Sequence, residues 1–310
     1  MAATKTASLT VDVEDWYHIP SVCGSTFSQF KDVGEFFEKW EGRYDYLTQT
    51  TDRVLNILDR YRVPATFFVV ADVIKRYPGL VESIAEHGHE IACHGLHHSC
   101  VIDPKTKEPL VGPEEFKSVT ATAKKELEKI SRSEVVGYRA PNALIAGWMI
   151  DALEELGFLY DSSVSVNSLY NKSDSKLKDV TSAPYCPMRT ELEPAPYRNF
   201  VEFPWAYYDI GIKIPTGGGP ILRFLGAHVV YRGLRQSLKR GHTCFYFHPI
   251  DISTESFPSI GNNRPFYWAI KGDVVEKRIR NILNRLSDVK WMTLRNYHSE
   301  VMSARLHDAH

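Results

Sequence analysis

The chain has little with which to staple, anchor or steer itself. Its 310 residues include only five cysteines (Cys23, Cys93, Cys100, Cys186 and Cys244), and no two of them form a Cys-x-x-Cys pair. An odd, scattered set argues against a disulfide framework or a thiolate zinc site and fits a reducing compartment. No stretch approaches the ~18 uninterrupted apolar residues that a membrane-spanning helix needs. No apolar run of signal-peptide length follows Met1-Ala-Ala-Thr-Lys-Thr6, so the expectation is a soluble cytoplasmic protein unless a leader has been removed. Charge of one sign is also missing. The 37 basic and 38 acidic residues leave a formal charge of −1, which gives no electrostatic case for nucleic acid or an anionic membrane. No repeat of about 20–50 residues is visible. What the chain does have is 43% hydrophobic and 12% aromatic residues, enough for a substantial core and too much for disorder.

Strand and helix patterns alternate along it. Ala7 to Val13 is β-branched and alternating, and it runs into the polar, aromatic stretch Glu14 to His18. Thr50 to Tyr61 has helical spacing, with Val54, Leu55, Ile57 and Leu58 on one side. Ala65 to Val70 reads as a buried strand, Tyr77 to His87 as a helix stopped by Gly88, and His89 to Cys93 as the next strand. A long amphipathic helix follows from Pro113 to Ile130, then a strand from Val135 to Arg139 and a helix from Met149 to Leu156. Residues 162–200 read as an irregular excursion rather than a linker. Beyond it come a strand from Val201 to Pro204, a helix from Val229 to Lys239 and an apolar strand from Thr243 to His248. A helix from Asp273 to Leu286 and a strand from Lys290 to Leu294 complete the order, which is that of an α/β protein with a parallel sheet or barrel.

The chemically loaded residues sit at strand ends. These are Asp12 with Glu14 and Asp15, the pair His94 and His98, Arg139, and His248. In a parallel barrel those ends converge on one face. Two histidines and a carboxylate can hold a divalent metal with positions left for water and substrate, and such a metal acidifies water and polarises a carbonyl. Asp12 is then placed to take a proton, Arg139 to hold Asp12, and His248 to protonate a leaving amine. Taken singly, each residue has a plainer reading: a turn cap for Asp12, an ion pair for Arg139, a core histidine for His248. For His97 the plainer reading is a face toward solvent or substrate; for His87 and His89, packing; for His18 and His242, ordinary surface or core positions.

In sequence the chain resembles the polysaccharide deacetylase family of metal-dependent N-deacetylases. The resemblance rests on Thr10-Val-Asp-Val-Glu-Asp15, Val63-Pro-Ala-Thr-Phe-Phe68, Gly88-His-Glu-Ile-Ala-Cys-His-Gly-Leu-His-His98, Gly137-Tyr-Arg-Ala-Pro141, Tyr160-Asp-Ser-Ser163 and Phe245-Tyr-Phe-His-Pro249, in family order. The first of these, with Gly217-Gly-Gly-Pro220 and His248-Pro249, looks most like the exopolysaccharide-associated branch. The resemblance implies a distorted (β/α) barrel with fewer than eight regular strands over residues 8–298, flanked by extensions 1–7 and 299–310. It implies Asp12 as general base, His94 and His98 as metal ligands, Arg139 as the residue orienting the base and His248 as general acid. The activity implied is removal of N-acetyl groups from amino sugars of a polysaccharide or glycan precursor. A deformylase or small-amide hydrolase on the same barrel, or a decayed glycan-binding protein, is the alternative.

Two departures stand out. Val13 occupies the place of the family's second adjacent aspartate, so the metal carboxylate is Glu14 or Asp15. Glu14 shares the face of Asp12 on an extended strand; Asp15 is slightly preferred because a shorter acid preserves the reach. Gly95 replaces the usual hydroxyl residue between the histidines. Zinc is the expected metal, with cobalt or nickel as alternatives. Trp16 and Trp205 are the candidate sugar-stacking residues, and the backbone N–H of Asn142 is the candidate oxyanion donor. Asp161 either bonds to a neighbouring turn or supports the machinery, and Gly217-Gly-Gly219 reads as a turn near the cleft. Oligomeric state is left open.

Overall fold

The computed structural model of the protein describes residues 4–23, 28–40, 45–177, 180–255 and 266–300. Residues 1–3 and 301–310 of the expected terminal extensions lie outside the described residues. Eight parallel strands form the main sheet: β1 (Thr6–Val13), β2 (Ala65–Val69), β3 (Glu90–Cys93), β4 (Gly137–Tyr138), β5 (Tyr160–Asp161), β6 (Val201–Glu202), β7 (Thr243–Phe247) and β8 (Lys290–Trp291). Their order is β7-β1-β2-β3-β4-β5-β6, with β8 paired to the start of β1. Four of the eight are only two residues long, so the (β/α) barrel is distorted and has fewer than eight regular strands. The two ends of the path meet at a single parallel bridge, Trp205 to Cys244.

Period-two alternation explains the two layers. On β1, Leu9, Val11 and Val13 join the large core beneath the helices, while Ser8, Thr10 and Asp12 carry the opposite, polar face. On β2 and β7 that opposite face is Phe68 and Cys244, which pack with Ala92, Val136, Tyr160, Val201, Phe203 and Leu294 into a compact inner cluster. The inner cluster fills the barrel below the residues that do chemistry.

The helices follow the sequence pattern with three instructive differences. Tyr46–Tyr61 starts a turn earlier than the apolar spacing suggests. The segment expected to be one helix from Tyr77 to His87 is instead split into Val73–Arg76 and Leu80–Glu86, because Pro78-Gly79 interrupts it with Gly79 at φ 87°. The helix expected from Val229 begins at Pro220 and runs to Ser237, with Gly226 (φ 77°) as a break inside it. Pro113–Ser131 and Asp273–Arg285 agree with their patterns to within a residue or so, and Pro113 takes the first-turn position where its missing N–H costs nothing. Two short antiparallel ribbons, Cys186–Pro187 with Pro194–Ala195 and Tyr207–Asp209 with Lys213–Pro215, were not legible as strands. No described helix is long and apolar enough to cross a membrane.

Gly217-Gly-Gly219 runs beside β7, where Tyr246 N–H donates to the Gly217 carbonyl (2.7 Å) and Gly219 N–H to the Tyr246 carbonyl (3.2 Å). A Cβ on Gly218 would lie 1.7 Å from that Tyr246 oxygen, so the glycine permits the backbone approach that seals this side of the barrel.

Candidate active site

The C-terminal ends of β1, β3, β4 and β7 deliver Asp12, His94, Arg139 and His248 to one cavity of 240 Å³, which Glu14 and His98 also line. Parallel registry is the reason: Asp12 lies opposite Phe68 on β2, and β3 and β4 continue the same alignment.

Glu14, His94 and His98 form the cluster suited to a metal, with one ligand atom from each lying within 4.8 Å of the others. Both imidazoles are held from behind. Nδ1 of His94 donates to the Arg139 carbonyl (2.8 Å) and Nδ1 of His98 to the His18 carbonyl (2.9 Å). Each ring therefore carries its hydrogen on Nδ1 and turns Nε2 to the shared space, as a histidine does when a carbonyl behind it aims it at a metal. Nε2 of His98 lies 2.8 Å from a Glu14 oxygen. Burial pushes the His94 imidazole down to about 4, more than the nearby carboxylates restore, so it is neutral at pH 7. Burial would raise Glu14, but His98, His248 and His94 outweigh it and hold the carboxyl well below its ordinary range. A neutral imidazole and an ionised carboxylate are the forms that bind a divalent cation. The residues present fit the group. His98 itself adopts φ 56°, a strained value for a non-glycine residue.

Asp15 is not part of this cluster, which corrects the slight preference for it. The strand ends at Val13, and Asp15 caps the 3-10 turn Trp16–His18. One of its oxygens accepts from Trp16 N–H (2.5 Å) and the other from the Tyr77 hydroxyl (2.5 Å), so both are committed away from the cavity. Burial, only partly offset by these bonds, raises its carboxyl to about 6.

Arg139 is 1% exposed and fully engaged. Nη1 donates to Asp12 Oδ1 (2.6 Å) and Thr10 Oγ1 (2.9 Å), and Nε and Nη2 donate to the Ser162 carbonyl and hydroxyl (2.8 Å each). Its guanidinium stacks 4.1 Å over the Phe68 ring. The next loop is tied down as well: Asp161 accepts from Ser163 N–H and Oγ–H, and Ser163 Oγ accepts from Ala140 N–H. Asp161 thus makes a local turn that also supports the arginine.

His248 Nε2 lies 3.4 Å from Glu14 and 3.9 Å from the free oxygen of Asp12. Its Nδ1 is 3.1 Å from Asp251, a residue sequence reading missed, and Asp251 is in turn ion-paired with the buried Arg223. Burial would lower the His248 imidazole, but Asp251, Glu14 and Asp12 together raise it to about 9. Asp251 is held down at about 2 because Arg223 and His248 outweigh its burial. Asp251 follows His248 by three residues across Pro249, in the capping-box geometry of the turn Pro249–Ile252, a local signal that was readable. Arg223 had no such signal. Neither did Asp72, which binds His18 Nε2 (2.8 Å) and so steadies the carbonyl behind His98.

The other candidates divide. Trp205 lines the cavity, packs at a tilt against Tyr246 with centroids 4.4 Å apart and donates its indole N–H to the Ser162 carbonyl (2.9 Å). Asn142 also lines it, with φ 57°. Trp16 does not: it is 1% exposed and packed against Trp268, a core residue rather than a sugar platform. His242 is core too, between Ser8, Thr6 and the Tyr297 ring. His97 is exposed and bonded to Asp72.

Residues 37–160 match the family model for polysaccharide deacetylase, and residues 172–299 match a domain of unknown function (DUF3473). Over that first stretch the chain is similar to the polysaccharide deacetylases. Among curated relatives, a peptidoglycan deacetylase-like protein of Gibberella zeae is 33% identical over 117 residues, 36% of this chain and 32% of its own. The peptidoglycan-N-acetylmuramic acid deacetylase of Bacillus subtilis is 29% identical over 109 residues, 35% of this chain and 39% of its own. The matches thus span only about a third of those relatives' length. Of the solved structures, a Mycobacterium smegmatis protein assigned to the polysaccharide deacetylases shares the fold, with a TM-score of 0.63, 21% identity, and coverage of 98% of this chain and 93% of its own. The site draws on both matched regions and on the segment before them: Asp12 and Glu14 precede residue 37, His94, His98 and Arg139 fall in the first match, and His248, Asp251 and Arg223 in the second.

Proposed function

We propose that the protein is a metal-dependent hydrolase that removes N-acetyl groups from amino sugars of a polysaccharide or glycan precursor. The observation that carries this reading is that Asp12 and His248 line one cavity with the Glu14–His94–His98 cluster, His248 Nε2 lying 3.4 Å from Glu14 and 3.9 Å from Asp12. A carboxylate to take a proton and a protonated imidazole to give one, both beside a polarised amide, are what acyl transfer to water requires.

Glu14, His94 and His98 would hold the divalent cation, and zinc suits this donor set best, with cobalt and nickel able to substitute. When bound, the cation supplies Lewis acidity for both the amide carbonyl and a water molecule. Asp12 accepts the proton of the attacking water at Oδ2, since Oδ1 is occupied by Arg139. Arg139 acts through Asp12 and is a positioning residue. The Asn142 backbone N–H at the cavity wall supports the developing oxyanion, and Trp205 carries the sugar face. His248, kept protonated by Asp251, donates from Nε2 to the departing amine nitrogen. Acetate and the free amino sugar then leave the site. The reading treats residues 8–298 as one catalytic unit, because base and acid come from opposite ends of the sequence.

The test is product identity. Protein loaded with zinc, cobalt or nickel and given N-acetylated oligosaccharides, formamides and small ureides should release acetate from the first class. Formate or ammonia as the main product would replace this reading with the small-amide one. Oligosaccharide binding without turnover under any metal would replace it with a binding protein.

A further inference from the structure

Among the described residues, the cations that line the cavity are matched with anions, with one exception. Arg139 is paired with Asp12 and Arg223 with Asp251. Lys172 lines the same cavity, yet its ammonium donates only to the neutral Asn142 carbonyl (2.8 Å) and sits 5.6 Å and 6.0 Å from the Tyr170 and Trp205 ring centroids. No carboxylate among the described residues is ion-paired with it. Lys107 repels it, and Glu14, which attracts it, is already engaged by His98. Burial pushes the ammonium down to about 8. A half-buried ammonium without a counter-charge is disfavoured, and a ligand anion brought against it lowers that cost.

The surface beyond Lys172 has the same sign. Tyr170, 45% exposed, lines both the catalytic cavity and an adjoining hollow of 430 Å³. Among the described residues, the charged ones around that hollow are Lys176 and Lys213, and none that lines it is an aspartate or glutamate. Among the described residues, a chain whose net charge is −1 has thus placed Lys172, Lys176 and Lys213 along one path out of the site, with Tyr170 shared by its two parts.

We propose that the substrate is an acidic glycan, with Lys172 binding a sugar carboxylate next to the acetamido group, Tyr170 stacking on the adjoining ring, and Lys176 and Lys213 receiving the next acidic residue. This rests on the deacetylase reading above and names the substrate class for it.

The experiment compares two tetrasaccharides on the metal-loaded protein: neutral N-acetylglucosamine tetramer, and a tetramer alternating glucuronate with N-acetylglucosamine. Calorimetry reads affinity and an acetate assay reads turnover, for wild type, K172M and K172R. The acidic tetramer should bind at least about tenfold more tightly at low salt, with the ratio shrinking at high salt. K172M should bring the ratio close to one and K172R should keep most of it. Equal or weaker binding of the acidic tetramer, or a ratio that K172M leaves intact, overturns the proposal. Inorganic phosphate displacing the acidic tetramer better than free glucuronate overturns the choice of a carboxylate. Acetate release from the neutral tetramer with no acidic preference sinks this inference and spares the deacetylase reading. An acidic preference lost in K172M, with no acetate from either tetramer, does the reverse.

Discussion

Asp12 and Arg139 are joined by a 2.6 Å ion pair in which neither side chain is more than 4% exposed. Removing one partner strands a buried charge, which typically costs about 3–5 kcal/mol. Arg139→Met should therefore destabilise the protein by about that amount in urea unfolding and lower kcat by about two orders of magnitude or more. Adding Asp12→Asn should return part of the stability and none of the activity. Full activity in Arg139→Met would refute the positioning role.

Glu14 and Asp15 are adjacent but should behave as unrelated residues. Glu14→Gln should weaken metal affinity by more than about a hundredfold, beyond the usual cost of losing an outer-shell partner. Asp15→Ala should leave metal affinity nearly unchanged and instead lower stability by about 1–2 kcal/mol, as the loss of a turn cap does. Calorimetric metal titration and thermal unfolding of the two variants separate the roles; reversed phenotypes would reinstate Asp15 as the ligand.

Protonation of the leaving amine by His248 should depend on Asp251. His248 works protonated, so the rate falls as pH rises through its pKa, which Asp251 helps lift to about 9. Asp251→Asn removes that support and the pKa drops. The alkaline limb of the kcat/KM profile should then move to lower pH by about 1–2 units. An unmoved limb would mean that another group is the acid.

Acid sensitivity should have a component from His242. Burial pushes its imidazole down to about 3, against about 6.5 in an unfolded chain. Below pH ~6.5 the unfolded state binds a proton that the native state refuses, so stability falls as pH drops from ~6.5 toward ~3, by up to about 1.4 kcal/mol per unit. His242→Gln should flatten this part of the pH dependence in urea titrations at several pH values. A slope equal to wild type would assign the acid sensitivity elsewhere.

Much of the site was legible because chemistry and strand ends coincide. Asp12, His94, Arg139 and His248 each follow an apolar run, and parallel registry brings such ends together. The carboxylate of the cluster was the ambiguous point, and the parity of β1 carried on past Val13 favours Glu14: Ser8, Thr10, Asp12 and Glu14 share it, whereas Asp15 is bonded to Tyr77. Reach was the wrong criterion, because the 3-10 turn at Trp16 had already redirected the backbone. Trp16 was misread for the same reason. β5 is two residues long, too short for periodicity, so Asp161 and the Ser162 loop could not be read as a strand end. Arg223 and Asp72 act through tertiary contacts that no local pattern encodes.

The central claim is that Glu14, His94 and His98 hold the metal on which acetate release depends. It is tested most directly by measuring bound metal and acetate release together, in wild-type protein before and after chelation and in His98→Ala. The account predicts about one divalent ion per wild-type chain, acetate release lost on chelation and restored on reloading, and neither tight metal binding nor acetate release in His98→Ala. Acetate release that persists in metal-free wild type, or in a His98→Ala protein that retains no metal, would contradict it.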